Sequence, residues 1–167
     1  MSGLPQYFAP IRLAEHGEEI VGDIAVSQMP RLRQSLHDGS GTVHVTLSCM
    51  PGENGITRIL GNLVTTLKVE CQRCLGAFDL PLRVAIDASA APASISPAGE
   101  ADVIMRAEDS LVHLAGFVED ELILALPLAP LHPAGRCPVA EYSASRAPAR
   151  ETPFAALKKL KLGNGSP

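Results

Sequence analysis

"LVTTLKVECQRCLGAFDLPLRVAI", residues 63–86, reads as two extended segments joined by a short connection. Leu63, Thr65, Leu67, Val69 and Cys71 fall on one face of the first segment, and Phe78, Leu80, Leu82, Val84 and Ile86 on one face of the second. A period of two is the mark of a strand with one buried side. Upstream, "TVHVTLSC" (42–49) repeats the pattern, with Val43, Val45, Leu47 and Cys49 opposite Thr42, His44, Thr46 and Ser48. "PGENG" (51–55) has turn composition, "ITRIL" resumes the extended pattern, and Gly61-Asn62 predicts a bulge or bend. Three such strands in succession predict an antiparallel β-meander, a partly closed sheet with one face buried and one wetter. Pro81 lacks the N–H that a ladder needs, so its strand is expected to be an edge there.

Around this sheet the chain supplies smaller elements. "PIRLA" and "EIVGDIAV" are candidate short strands, and "SQMPRLRQSLHDG" predicts a short helix capped by Ser27, with Pro30 in its first turn and Gly39 beyond its end. "SLVHLAGFVEDELILALPLAPLHP" carries Leu111, Leu114, Val118, Leu122 and Ala125 at helical spacing, with Phe117 and Leu124 widening the stripe. Asp109 or Ser110 can cap this helix and Pro127 stops it. Its expected place is over the apolar face of the sheet. Glu119, Asp120 and Glu121 are consecutive, so they fan around the helix and predict a solvated acidic face. "ETPFAALKKLKLG" predicts a terminal helix over 153–162, with Thr152 as its cap and Gly163 at its end. The fold class is therefore α+β. One domain is expected over 1–137, with a flexible loop at 88–101, where large side chains are nearly absent. A loop-rich extension over 138–167 carries the short C-terminal helix.

Composition removes several classes of function. With 167 residues, 46% apolar content and a net charge of −4, the chain can build a core but does not have the basic balance of a protein that coats nucleic acid. The start "MSGLPQYFAP" has no basic segment followed by an apolar run, and no stretch is long and apolar enough to span a bilayer. A cytoplasmic setting is expected, where the four cysteines (49, 71, 74 and 137) are thiols or metal ligands rather than disulfides. No phosphate-binding glycine loop and no nucleophile elbow occurs, so binding rather than catalysis is expected.

Cys71-Gln-Arg-Cys74 admits three readings. A redox pair would open a helix, because the helix N-terminus stabilises the thiolate. Here the pair lies at a hairpin tip. A structural zinc fits better: the following glycine permits a tight turn with backbone N–H groups aimed at the sulfurs, and "HPAGRC" offers His132 and Cys137 as the remaining ligands. The plain alternative is packed or exposed thiols and an ordinary loop histidine. Cys49, on the apolar face of its strand, is a core thiol, and His16, His37, His44 and His113 are expected to be surface or satisfied groups.

Three blocks, "VECQRCLGAF", "VEDELILALPLAPLHPAGRC" and "TPFAALKKLK", resemble in order and spacing the YceD-like family of large ribosomal RNA subunit accumulation proteins, across residues 40–162. Thr152 stands where the family commonly has Asn, and both cap helices well. The resemblance implies a role in synthesis, processing or stability of 23S ribosomal RNA, with that RNA or an assembly protein as partner and no established catalysis. It also implies that Cys71, Cys74, His132 and Cys137 occupy recurring family positions. Arg73, inside the hairpin tip, and Lys158, Lys159 and Lys161, on the terminal helix, are the candidate contacts to RNA or a partner. The rival expectation is a protein-binding adaptor that turns its acidic face towards a basic partner.

Overall fold

A computed structural model describes residues 4–53, 56–92, 104–107 and 111–137. They belong to one compact unit, Met1–Cys137. The expected helix over 153–162, and the rest of 138–167, lie outside the described residues.

The fold is α+β, and its centre is the meander. Strands β2 (Glu19–Ala25), β3 (Thr42–Pro51), β4 (Thr57–Glu70) and β5 (Ala77–Pro92) are antiparallel neighbours in chain order, and β6 (Ile104–Ala107) is added parallel to β5. "EIVGDIAV" is thus a strand, as expected. The register matches buried face to buried face: Val45 pairs with Leu63, Cys49 with Ile59, Leu63 with Val84 and Leu67 with Leu80. Val43, Val45, Leu47, Ile59, Leu63, Leu67 and Val69 are all fully buried on that face.

Gly61 and Asn62 make no bulge. The β3–β4 ladder runs through them without interruption, Leu47 opposite Gly61 and Thr46 opposite Asn62. The glycine serves close approach: a Cβ there would strike the Thr46 carbonyl oxygen and come within 2.8 Å of Leu47 Cδ2. The expected loop at 88–101 does not include residues 88–92, because β5 continues through Ala88 to Pro92. Small residues can be strand residues where the facing strand supplies the bulk, and Ala88 and Ala90 lie opposite Ile59 and Thr57. Residues 93–101 of that segment lie outside the described residues. At Pro81 the strand is an edge among the described residues, since β6 engages β5 only from Ser89 onward.

Helices cover the apolar face. "PIRLA" is not a strand but most of α1 (Pro10–His16), which lies against β3 and β4. Pro10 is pre-set for the first turn, and Pro10, Leu13 and Ala14 have helical spacing, which outweighs any short alternation. Gly17, at φ 65°, ends the helix with its N–H on the Leu13 carbonyl. The next helical segment is shorter than its sequence predicts. A 3₁₀ turn (Val26–Gln28) leads into α2 (Pro30–Gln34); Met29 precedes α2 without a side-chain cap, and Ser27 caps nothing.

Strand β1 (Tyr7–Phe8) pairs antiparallel with β7 (Val112–His113), which runs directly into α3 (Leu114–Ala125). The cap of α3 is neither Asp109 nor Ser110, which lie outside the described residues: His113 Nδ1 accepts the Gly116 N–H at 3.0 Å. Leu114, Phe117, Val118 and Leu122 join the same core as the sheet, and α3 packs against α2 and β5. Leu111 and Leu124 do not belong to this stripe and are exposed. Before Pro127 the chain must leave helical geometry, and Leu126 is extended at ψ 133°. Among the described residues no helix is long and apolar enough to cross a membrane.

Candidate metal centre

The β4–β5 connection, Cys71–Gly76, is a tight loop. The Leu75 N–H donates to the Cys71 carbonyl at 2.8 Å, and the Cys71 N–H donates to the Gly76 carbonyl at 2.9 Å. Leu75 accepts a left-handed backbone, φ 58°, to close it. The segment that leaves α3 lies along this loop: the Gln72 N–H donates to the Pro130 carbonyl at 2.9 Å. A second turn follows, with the Arg136 N–H on the Pro133 carbonyl at 3.0 Å and Gly135 at φ 76°, and it delivers Cys137.

These two turns bring together the four residues singled out in the sequence. One ligand atom from each of Cys71, Cys74, His132 and Cys137 lies within 4.8 Å of all the others. Cys71 is fully buried and the other three are half-buried. His132 Nδ1 is 3.4 Å from Cys74 Sγ, and its ring rests on Phe78 with centroids 4.7 Å apart, which holds the imidazole in place.

Electrostatics divide the sulfurs. Burial alone would push the Cys71 thiol up. The backbone N–H groups of His132, Arg73 and Cys74, together with the His132 side chain, outweigh it and bring Cys71 down to about 5. Cys74 goes the other way: the Gly76 N–H favours its thiolate, but burial and the neighbouring sulfurs of Cys137 and Cys71 prevail and raise it. Thiols this close cannot all ionise without a cation among them. A tetrahedral zinc with Zn–S distances of about 2.3 Å needs donor–donor separations of about 3.8 Å, and the separations here, 3.4 Å for Cys74 and His132 and none above 4.8 Å, lie within about 1 Å of that. Three thiolates and one imidazole fill such a coordination sphere, which makes the set suited to a structural ion and leaves no position for a substrate. The residues fit the metal.

Other sulfurs and histidines stand apart from this cluster. Cys49 is a core thiol, pushed up to about 11 by burial. His44 contacts Asp23 at 2.8 Å on the exposed side of the sheet, His16 meets the Arg12 carbonyl at 2.7 Å, and His113 is a helix cap.

The acidic run departs from the expected solvated face at its first residue: Asp120 is exposed and Glu121 partly so, but Glu119 is not. Glu119 is only 4% exposed. Its Oε1 accepts the backbone N–H groups of Arg31 (2.6 Å) and Leu32 (3.0 Å), and its Oε2 meets the Arg31 guanidinium at 3.0 Å. Pro30 opens α2 without any side-chain cap, so this distant carboxylate satisfies the helix's first donors. Burial opposes its charge, but the Leu32 N–H and Arg31 hold its carboxyl below the usual value. The warning was in the spacing: Glu119 lies four residues after Ala115 and three before Leu122, on the flank of the buried stripe. Asp120 takes the outer side of Arg31 at 2.7 Å. Of the candidate contacts, Arg73 is exposed on the β4–β5 tip, whereas Lys158, Lys159 and Lys161 lie outside the described residues.

Comparison with known proteins agrees with the resemblance. The family described as "Large ribosomal RNA subunit accumulation protein YceD" matches residues 59–161, a stretch that contains all four cluster residues. A Haemophilus influenzae protein of the same description is 28% identical over 171 residues, covering 95% of this chain and 96% of that protein. No solved structure matches the chain.

Proposed function

Because the chain belongs to the YceD family of large ribosomal RNA subunit accumulation proteins, we propose that it is a bacterial ribosome biogenesis factor of the cytoplasm. It acts in synthesis, processing or stability of 23S ribosomal RNA by binding the RNA or an assembly partner, without catalysis. The observation that carries this reading is the family match over residues 59–161, and the convergence of Cys71, Cys74, His132 and Cys137 lies within it. Bound there, zinc would supply cross-linking rather than Lewis acidity, holding the β4–β5 tip to the segment that leaves α3. On this reading the metal stiffens a binding surface that includes Arg73. Lys158, Lys159 and Lys161, carried by an extension over 138–167, add further cationic contacts.

The adaptor reading has to change its surface, because Glu119 is turned inward to α2 and Asp120 is engaged by Arg31. Leu75, Leu128 and Leu131, exposed beside the ligand residues, supply another one. Deleting the gene tests the reading common to both. Mature 23S ribosomal RNA should fall relative to the small-subunit RNA, with a shifted profile of free subunits. Unaltered amounts and processing of 23S RNA in a clean deletion overturn it.

A further inference from the structure

The candidate metal centre has an arginine beside its cysteines in each of the two turns that form it. Arg73 sits between the ligands Cys71 and Cys74, and Arg136 immediately precedes the ligand Cys137. Their neighbouring sulfurs lie within 4.8 Å of one another. Both residues are exposed, and both stand on backbone that is pinned. The loop of Arg73 is closed by the Leu75–Cys71 hydrogen bond, and the N–H of Arg136 itself is held by Pro133.

Neither arginine makes an ion pair with any described residue, in contrast to Arg31 with Glu119 and Asp120 and Arg58 with Asp87. Guanidinium groups with no ion pair among the described residues, on turns closed by backbone hydrogen bonds, present forked donors suited to phosphate oxygens. We propose that Arg73 and Arg136 form a two-point clamp for neighbouring phosphates of the RNA backbone. This deepens the RNA-binding reading above and rests on it.

A structural explanation competes with the clamp. Three thiolates around a zinc ion leave one net negative charge, which a nearby guanidinium would offset. That need accounts for one arginine and leaves the second available. It also makes a separable claim, since arginines that serve the metal would affect its retention.

The experiment uses the full-length, zinc-loaded protein and a fluorescent oligouridylate, with binding followed by anisotropy across a salt series. Removing two phosphate contacts from a single strand should lower the slope of log affinity against log salt by about 1.4. Arg73→Gln combined with Arg136→Gln should therefore show this loss and keep its zinc. The Lys double variant, which retains both charges, should keep most of the slope. Arg83→Gln, an exposed arginine on the opposite face of β5 from the core, should leave the slope unchanged.

An unchanged slope in the double Gln variant overturns the clamp while leaving RNA binding intact. An equal fall in Arg83→Gln also overturns it, by making the attraction diffuse. Loss of zinc from the double Gln variant assigns the arginines to the metal instead, and the clamp fails. If the natural protein does not bind RNA at all, both the clamp and direct RNA contact fall and the adaptor reading gains.

Discussion

Two polar junctions tie α3 and its exit to the rest of the fold, and they are built on opposite principles. At the end of the β4–β5 hairpin, Cys71 and Cys74 meet His132 and Cys137, a set that could hold a cation in its midst. On the side of α2, Glu119 closes its junction unaided, because a single carboxylate satisfies two orphan N–H groups and a guanidinium. The first junction gathers sulfurs that could ionise together only around a cation. The second matches donors to acceptors within the chain. A buried polar group is tolerable in either case only when every partner is present.

Removing one member of each junction should separate them. Cys71→Ser is expected to have the largest effect, since a fully buried thiolate ligand is lost: zinc should fall from about one per chain to near none. Hydrogen exchange should then quicken over residues 71–76 and 130–137 while the β3–β4 ladder stays protected. Purified natural protein that carries no zinc, and is unaffected by chelators, would break the comparison.

Glu119→Ala comes next. Orphaning the Arg31 and Leu32 amides should cost about 1–3 kcal/mol in denaturant unfolding, and the exposed Arg31 side chain, free to rehydrate, should add little. Because the folded carboxyl titrates below its ordinary value of about 4.3, its contribution is complete above that pH. It is lost as pH falls through the lower folded value, so acid unfolding of the natural protein should be steeper than that of the variant. Equal acid sensitivity of the two proteins would show that the contact does not matter to stability.

Asp120→Asn is the smallest change. It touches the same Arg31 from outside, with both side chains more than half exposed, and should alter stability by about 0–1 kcal/mol. An effect as large as that of Glu119→Ala would mean that the three groups act as one network.

These junctions also explain what could be read from the sequence. The meander was legible because alternation at period two survives in β3, β4 and β5, and antiparallel pairing only has to set buried faces against each other. The approach of Cys71, Cys74, His132 and Cys137 was legible because the C-x2-C spacing fits a hairpin tip and a second His–Cys pair follows the helix. Glu119 was hidden by its ordinariness: an acidic residue in a run of three reads as solvated until its helical neighbours are known to be buried. Similarly, α1 and the exposed Leu124 depended on which surface the rest of the fold supplies, information that no local window holds. Gly61 signalled a constraint correctly, but the constraint was close approach of Leu47 rather than a bend. Lys158, Lys159 and Lys161 remain expectations, outside the described residues.

The ligand order has a consequence for the path by which the chain folds. In a small zinc finger, neighbouring ligands can meet early and the ion organises everything after them. Here Cys71 and Cys74 belong to the β4–β5 tip, whereas His132 and Cys137 come only after β6, β7 and α3 have been traversed. Closing so long a loop carries an entropic penalty that sheet and helix packing must first overcome. If an ion binds there, complete four-donor coordination would come late, and a chain with α3 undocked would offer it only half of the coordination sphere.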